Sequence, residues 1–322
     1  MSLLKFLLLL CTAFTAVLGA QQLPLFAQYR NASGLLNPAS LNAEYFLYEY
    51  DLNVNVSYRS QWQSQPETPR TLQVTGEYIT DFGGAVELVT GGSLLRDQTG
   101  PLGLSGGYLR LGAVLSGDPY YGALVVGFSA GLVQYRFDAT EILWFDPDDP
   151  DVTQLNESLS RPDLGVGIFY HKRLGGRRGR NNIYLGVSLP QILNARYELS
   201  VADRSRTAFL DRRRHYYFTG GWYHFFNQDT FLELSTWAKY VEGAPLNIDL
   251  NARLHPGRAF WFGLGYNPNT LVHAEAGVNV EGMFGKDSNL QIGFAFDQNF
   301  KALGYDVGSS LEFTMAVQFA TR

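Results

Sequence analysis

From Val272 to Glu281 the chain alternates without a break. Val272, Ala274, Ala276, Val278 and Val280 are apolar, while His273, Glu275, Gly277, Asn279 and Glu281 are polar or glycine. The same alternation runs through Asn247–Leu254, Leu290–Asp297 and Ser310–Phe319. Successive side chains of a strand point to opposite faces, so each segment has one continuous apolar face and one polar, partly charged face. Two environments accept that pattern. One is a solvent-washed sheet on an apolar core; the other is a barrel with lipid outside and water inside.

The N-terminus selects the compartment. Lys5 precedes the apolar run Phe6–Leu10, and apolar or small residues continue to Ala20. A charged start, a hydrophobic stretch and a small-residue end form a secretory signal, so residues 1–20 are expected to be cleaved. A cut after Gly19 or Ala20 places Val17 or Leu18 at the minus-three position. Lipidation at Cys11 would want a small residue before it, where Leu10 stands. The run is short for an uncleaved anchor helix. Cys11 is the only cysteine, so no disulfide framework holds the exported chain. No later stretch approaches the ~18 apolar residues of a helical span.

Composition then separates the two environments. There are 19 Tyr, 22 Phe, 5 Trp and 34 Gly, and only 17% of residues are charged. Soluble domains average about 25%. The expectation is an all-β fold: a transmembrane antiparallel up-and-down β-barrel. A large secreted sandwich is the alternative. At about 9–11 residues per strand plus connections, the length predicts about fourteen strands, or failing that about twelve or sixteen. Residues 21–42 read as an irregular segment, too short and polar for a large plug, with the barrel running from about residue 43 to 322. A net charge of −5 argues against nucleic acid as a partner.

Along the chain, residues 50–62 form the first strong strand, with Leu52, Val54, Val56 and Tyr58 on one face and Asn53, Asn55, Ser57 and Arg59 on the other. Residues 72–79 return, with Gln73, Thr75 and Glu77 inward. Gly-rich strands follow at 83–95, 103–115 and 122–135, with small residues at lumen or bend positions. Further strands are read at 164–171, 183–189, 216–226 and 231–240, before the four alternating segments. Residues 138–163 and 195–214 read as the longest loops and the most plausible partner-binding surface. Trp62, Trp144, Trp222, Trp237 and Trp261 are candidates for the aromatic girdles, with a lumen position open for Trp237. Inward Arg59, Glu77, Glu233, Lys239, Asp249, Arg253, Glu275 and Glu281 are expected to pair and narrow the bore, giving a poorly conducting barrel.

The chain carries no metalloprotease, serine-hydrolase, P-loop or dinucleotide motif. No catalytic residue, metal or cofactor is expected. His273 and Glu275 share a lumen face, as an acid/base pair or as part of a polar lining, and the lining is favoured. The acidic stretch Asp146–Asp151 is a solvated loop or a hard-cation site without the EF-hand glycine and terminal glutamate. The basic run Lys172–Arg180, with Arg204, Arg206 and Arg212–Arg214, admits three readings: contact with lipid phosphates, docking of an acidic protein, or solvated turn charge. Arg173, Arg177, Arg178 and Arg180 are the candidate contacts.

An ordered set of motifs resembles the PorP/SprF family of Bacteroidetes. Gln21-Gln22-Leu23-Pro24-Leu25-Phe26-Ala27-Gln28-Tyr29, then Leu36-Asn37-Pro38-Ala39, is similar to that family's mature N-terminus. Tyr58-Arg59-Ser60-Gln61-Trp62 resembles its Tyr-Arg-x-Gln-Trp, and Asp97-Gln98-Thr99-Gly100-Pro101 its Asp-x-x-Gly-Pro turn. Pro162-Asp163-Leu164-Gly165-Val166-Gly167, Gly186–Pro190, His215-Tyr216-Tyr217 with Gly220-Gly221, and Phe294–Asp297 resemble its later strands. Asn37, Pro38, Tyr58, Arg59, Gln61, Trp62, Asp97, Gly100, Pro101, Asp163, His215 and Tyr216 are therefore the family-motif positions. The chain departs from the family at Gln63–Pro69, where a Gly-x-x-Gly-Ala-Pro is usual. It departs again at Gly308-Ser309-Ser310-Leu311-Glu312, which lacks the family's histidine.

This resemblance implies a non-enzymatic outer-membrane barrel of the type IX secretion system, also tied to gliding motility. It implies help in the export or surface anchoring of cargo such as adhesins, through their C-terminal domains. It further implies contact with periplasmic ring and peptidoglycan-binding lipoproteins. The alternative function is an outer-membrane channel for small solutes or lipids.

Overall fold

The computed structural model describes residues 26–64, 68–80, 86–138, 156–175, 179–200, 207–268, 271–300 and 308–321. Fourteen antiparallel strands close into a barrel. They are β1 (Leu52–Ser60), β2 (Arg70–Thr80), β3 (Val86–Thr99), β4 (Leu102–Asp118), β5 (Gly122–Asp138), β6 (Asn156–Arg173), β7 (Asn182–Leu189) and, after a separate two-stranded hairpin β8 (Ala195–Ser200) and β9 (Thr207–Arg212), β10 (His215–Phe225), β11 (Phe231–Val241), β12 (Asn247–His255), β13 (Phe260–Asn267), β14 (Leu271–Glu281), β15 (Ser288–Asn299) and β16 (Ser310–Phe319). Each barrel strand pairs with its sequence neighbour, save that β10 pairs with β7 across the hairpin. β1 closes on β16 in continuous register from Leu52↔Phe319 to Arg59↔Glu312. No sheet edge is left in the barrel wall, as hydrocarbon requires. No helix among the described residues is long and apolar enough to cross a membrane.

The wall is inside-out relative to a soluble protein. Leu109 is 75% exposed and Leu264 69%, whereas Arg59, Glu233, Arg253, Glu275 and Glu312 are buried. Apolar residues outside and polar ones inside are the signature of a lipid-embedded barrel. The expected girdle divides. Trp62 and Trp222 are exposed on the outer surface, but Trp237 and Trp261 are fully buried and point inward. Phe260 and Phe262 beside Trp261 take the lipid-facing positions, so alternation forces Trp261 into the lumen. Trp144 lies outside the described residues.

Three further expectations are corrected. β6 begins at Asn156, so residues 156–163 are strand and not loop. β5 and β6 pair from Gly122↔Lys172 to Asp138↔Asn156. Seventeen and eighteen residues exceed what a membrane crossing needs, so this hairpin extends beyond the hydrocarbon layer. Likewise 195–214 is no simple loop, because β8 and β9 pair from Ala195↔Arg212 to Ser200↔Thr207. The barrel also begins at Leu52 instead of about residue 43, since Ala43–Tyr48 is helical.

Candidate functional site: an occupied lumen

The inner face of the barrel holds the chain's own N-terminal segment. Residues 26–50 pass through the lumen as a 3-10 turn (Tyr29–Ala32), a helical turn (Ser33–Leu36), a tight turn in which the Ser40 N–H donates to the Asn37 carbonyl at 3.0 Å, and a short helix (Ala43–Tyr48). Asn42 caps that helix by accepting from the Glu44 N–H at 3.1 Å. Glu49 ends it in the left-handed conformation, with φ 65°. The segment is a plug, contrary to the sequence expectation. Its polarity, which argued against that role, matches the polar bore.

Strands all around the wall hold it. On β16, Glu312 accepts the Ala27 and Gln28 N–H groups at 2.7 and 2.9 Å. The Tyr29 hydroxyl donates to Ser235 at 2.8 Å on β11. Arg30 reaches Glu233 at 3.2 Å and Glu275 at 2.7 Å, joining β11 to β14. On β4, Arg110 donates to the Pro38 carbonyl at 3.3 Å and the Ser40 carbonyl at 2.8 Å, and also pairs with Glu77 of β2. Ser188 of β7 donates to the Leu36 carbonyl at 2.7 Å. Buried charge is tolerable only when paired, and these contacts supply the partners.

Asn37-Pro38-Ala39 lies on a shelf of glycines. The Asn37 amide donates to the Ile168 carbonyl at 3.1 Å, and its oxygen accepts from the Ala39 N–H at 2.9 Å. A Cβ on Gly127 would stand 2.5 Å from the Pro38 carbonyl carbon, and one on Gly186 2.8 Å from the Asn37 amide nitrogen. One on Gly167 would collide with the Asn37 amide oxygen. Three adjacent strands thus lack side chains where the segment's backbone touches the wall.

At the end of the barrel with the short turns, the lumen is apolar. Ile79, Val89, Val114, Val125, Phe169, Tyr184, Tyr223 and Phe231 point inward and pack against Leu41, Tyr45 and Phe46. Phe46 stacks on His171 with ring centroids 4.7 Å apart, and the Tyr45 hydroxyl donates to Glu87 at 2.6 Å. Fully burying a Phe side chain contributes about 1.5–3 kcal/mol, so this end anchors the segment firmly. A cavity of about 70 Å³ remains between segment and wall, bordered by Arg30, Glu44, Glu233, Arg253 and His255. Burial, and then the nearby Glu233 charge, raises the Glu44 carboxyl to about 7; Arg253 opposes the shift.

The expected charge network is present. Arg59 pairs with Asp297 and with Glu312 (3.2 Å), Lys239 with Asp249, and Arg253 with Glu275 (2.9 Å). Glu281 instead sits exposed, 3.6 Å from Arg258. His273 and Glu275 do not pair. The His273 ring meets the Asn251 amide at 2.8 Å, while Glu275 is held by Arg30 and Arg253. Among the described residues, no group of three or more His, Asp or Glu is placed to hold a metal ion. The acidic stretch 146–151 lies outside the described residues.

The motif positions serve the wall and the plug. Asn37, Pro38 and Arg59 face the lumen. Tyr58 and Tyr216 face lipid. Gln61 and Trp62 shape the end of β1: the Gln61 N–H donates to the Pro69 carbonyl at 2.9 Å, and Trp62 is left-handed with φ 55°. Asp97 accepts from Thr71 at 2.5 Å, and Gly100-Pro101 turns β3 into β4, with φ 52° at Gly100. Asp163 accepts from Arg212 at 2.6 Å and from the Tyr108 hydroxyl at 3.1 Å, tying the β8–β9 hairpin to the wall. The buried His215 ring lies 2.9 Å from the Arg213 carbonyl.

The basic residues do not form one cluster. Lys172, Arg173 and Arg180 sit at the short-turn end, and Arg212–Arg214 at the other. Arg173 lies over the Tyr121 ring at 4.7 Å and donates to the Phe46 carbonyl at 3.3 Å, so it secures the plug. Exposed Arg180 donates to the Gln228 carbonyl at 2.7 Å. Arg177 and Arg178 lie outside the described residues.

Several residues that build this site carry no sequence motif: Arg30, Arg110, Gly127 and Glu233; Gly167, Gly186 and Ser188 lie within the family-like motifs, which do not show that they meet the plug. One signal was present. Ala123–Val126 is continuously apolar, which marks a strand buried on both faces and therefore something apolar inside the bore.

Comparison with known proteins agrees with this architecture. The chain is similar to the monoaromatic hydrocarbon channel CymD (TM-score 0.52, 10% identity, covering 89% of this chain and 92% of that one). It is also similar to the Pseudomonas putida toluene transporter TodX (0.51, 10%, 89% and 93%) and to a Pseudomonas aeruginosa FadL homologue (0.51, 10%, 90% and 94%). At that identity the likeness is one of fold. No curated protein matches the sequence. Residues 18–317 match the family described as type IX secretion system membrane protein PorP/SprF. An inside-out barrel, the ordered motifs that build its lumen, and a match across nearly the whole chain place this protein in the PorP/SprF family of type IX secretion system membrane proteins.

Proposed function

We propose that this chain is a non-enzymatic, non-conducting outer-membrane component of the type IX secretion system. In this reading it assists the export or surface anchoring of cargo such as adhesins and contacts periplasmic parts of the machine. The observation that supports it is the filled lumen. The plug's own ion pairs and apolar packing occupy the bore that a conduit would keep open. Work therefore falls to the two ends. The short turns, with Lys172 and Arg180, face the periplasm, as is usual for such barrels. The extended β5–β6 hairpin and the β8–β9 hairpin then face outward as recognition surfaces on a rigid scaffold. Arg173 already serves the plug, so lipid phosphate or an acidic periplasmic partner would meet the remaining basic residues of that turn, Arg177 and Arg178 included.

Cross-linking in the native host, followed by purification and mass spectrometry, tests the reading. Recovery of secretion lipoproteins and of a large exported cargo is expected. Recovery of neither, with uptake of small solutes lost on deletion of the chain, would favour the channel alternative.

A further inference from the structure

We propose that the lumen is a peptide-binding site, filled in cis by residues 26–48, and that a second polypeptide segment of the same pattern can replace them. The partner is a segment that folds as residues 26–48 do, carrying a basic residue seven positions before an Asn-Pro-small turn. This inference concerns the bore alone and stands apart from the secretion role.

Three observations carry it. First, the wall recognises main chain. Glu312 takes the N–H groups of residues 27 and 28, Ser188 the carbonyl of residue 36, and Arg110 the carbonyls of residues 38 and 40. Any peptide on that path offers the same groups. Second, sequence is read at two separated places. One is the carboxylate pair Glu233 and Glu275, which together hold one guanidinium. The other is the glycine shelf of Gly127, Gly167 and Gly186, which accepts the Asn-Pro-Ala turn and excludes a bulkier wall. Third, the carboxylates keep wall partners when Arg30 leaves. Glu275 retains Arg253 at 2.9 Å, and Glu233 retains the Tyr223 hydroxyl at 3.3 Å. The site therefore persists without its resident cation.

A tethered segment competes at an effective concentration on the order of millimolar, so an outside peptide needs the resident one weakened. Losing the Arg30 contacts should weaken the cis segment roughly 10- to 100-fold. The probe is a fluorescent synthetic peptide of residues 26–48, added to the full chain purified in detergent. In one sample Arg30→Ala weakens the cis segment. In another, Asn37→Cys with Gly167→Cys locks it to the wall, with Cys11→Ser removing the only other thiol. The added Gly167 Cβ would lie 2.9 Å from the Asn37 Cγ, within disulfide reach.

Micromolar peptide should saturate the Arg30→Ala barrel, and wild type should need roughly 10- to 100-fold more. The oxidised cysteine pair should bind none until reduced; against this pair the probe carries serine in place of Asn37, so that the added Gly167 side chain meets no amide oxygen. A peptide with alanine at the Arg30 position should lose its advantage. Equal binding to all barrels, or no binding to an Arg30→Ala barrel that still shows heat-modifiable mobility, overturns the proposal. If Arg30→Ala does not close, millimolar peptide on the cysteine pair decides. Binding only after reduction supports the proposal; binding in both states or in neither overturns it.

Discussion

At the scale of single residues, two positions in the lumen give sharp expectations. Gly167→Ala puts a methyl group into the Asn37 amide oxygen, and Gly127 and Gly186 leave the plug no room to shift sideways. It should destabilise the barrel by about 1–3 kcal/mol, the usual range for overpacking. Gly257, whose added Cβ meets nothing within 4 Å, should tolerate alanine within about 0.5 kcal/mol. The temperature at which heat-modifiable mobility is lost reports both. Glu44 is the second position. Its carboxyl titrates near 7 in place, against 4.5 ordinarily, so between those values the folded chain holds a proton that the unfolded chain has released. The Glu44 contribution to stability therefore falls as pH rises from about 4.5 to 7 and is level above that. Glu44→Gln should remove that contribution, so that in thermal melts from pH 4 to pH 9 the gap between variant and unsubstituted chain changes between about pH 4.5 and 7 and is constant above; a gap that stays constant throughout would mean that Glu44 does not titrate there.

At the scale of elements, alternation decides which faces tolerate charge. Val56 lies at the centre of β1 on the lipid side, between lumen-facing Asn55 and Ser57. Val56→Arg should cost about 2–4 kcal/mol, and Leu52→Arg, at the strand's edge, only about 0–1. Denaturant titration in detergent or bilayer would show whether depth sets the cost. The β5–β6 hairpin projects beyond the membrane and carries residues 139–155. Deleting 146–151 should leave folding and heat-modifiability intact while cargo display falls; normal display would clear that loop of a recognition role. The sequence made strands of period two legible, together with their faces, because lipid and water impose opposite demands on neighbouring residues. It hid the continuation of β6 to Asn156 and the β8–β9 pairing. Outside the membrane both faces meet water, so apolar alternation fades there.

At the scale of the whole molecule, the plugged bore predicts little or no steady single-channel conductance in planar bilayers, and a large steady conductance would contradict it. The sequence alone determined the closed β architecture and the approximate strand number. Lipid-facing alternation is a local property that each segment records for itself. The sequence also exposed the family motifs without saying what they touch. Only the tertiary structure decided that residues 26–50 fill the lumen. That outcome depends on contacts between residues more than two hundred positions apart, such as Ala27 with Glu312 and Arg30 with Glu275. No local periodicity encodes such pairs. Arg30 and Glu312 read as ordinary charges until barrel closure brings their strands around the same axis, where an unpaired charge would be costly and a paired one holds the plug.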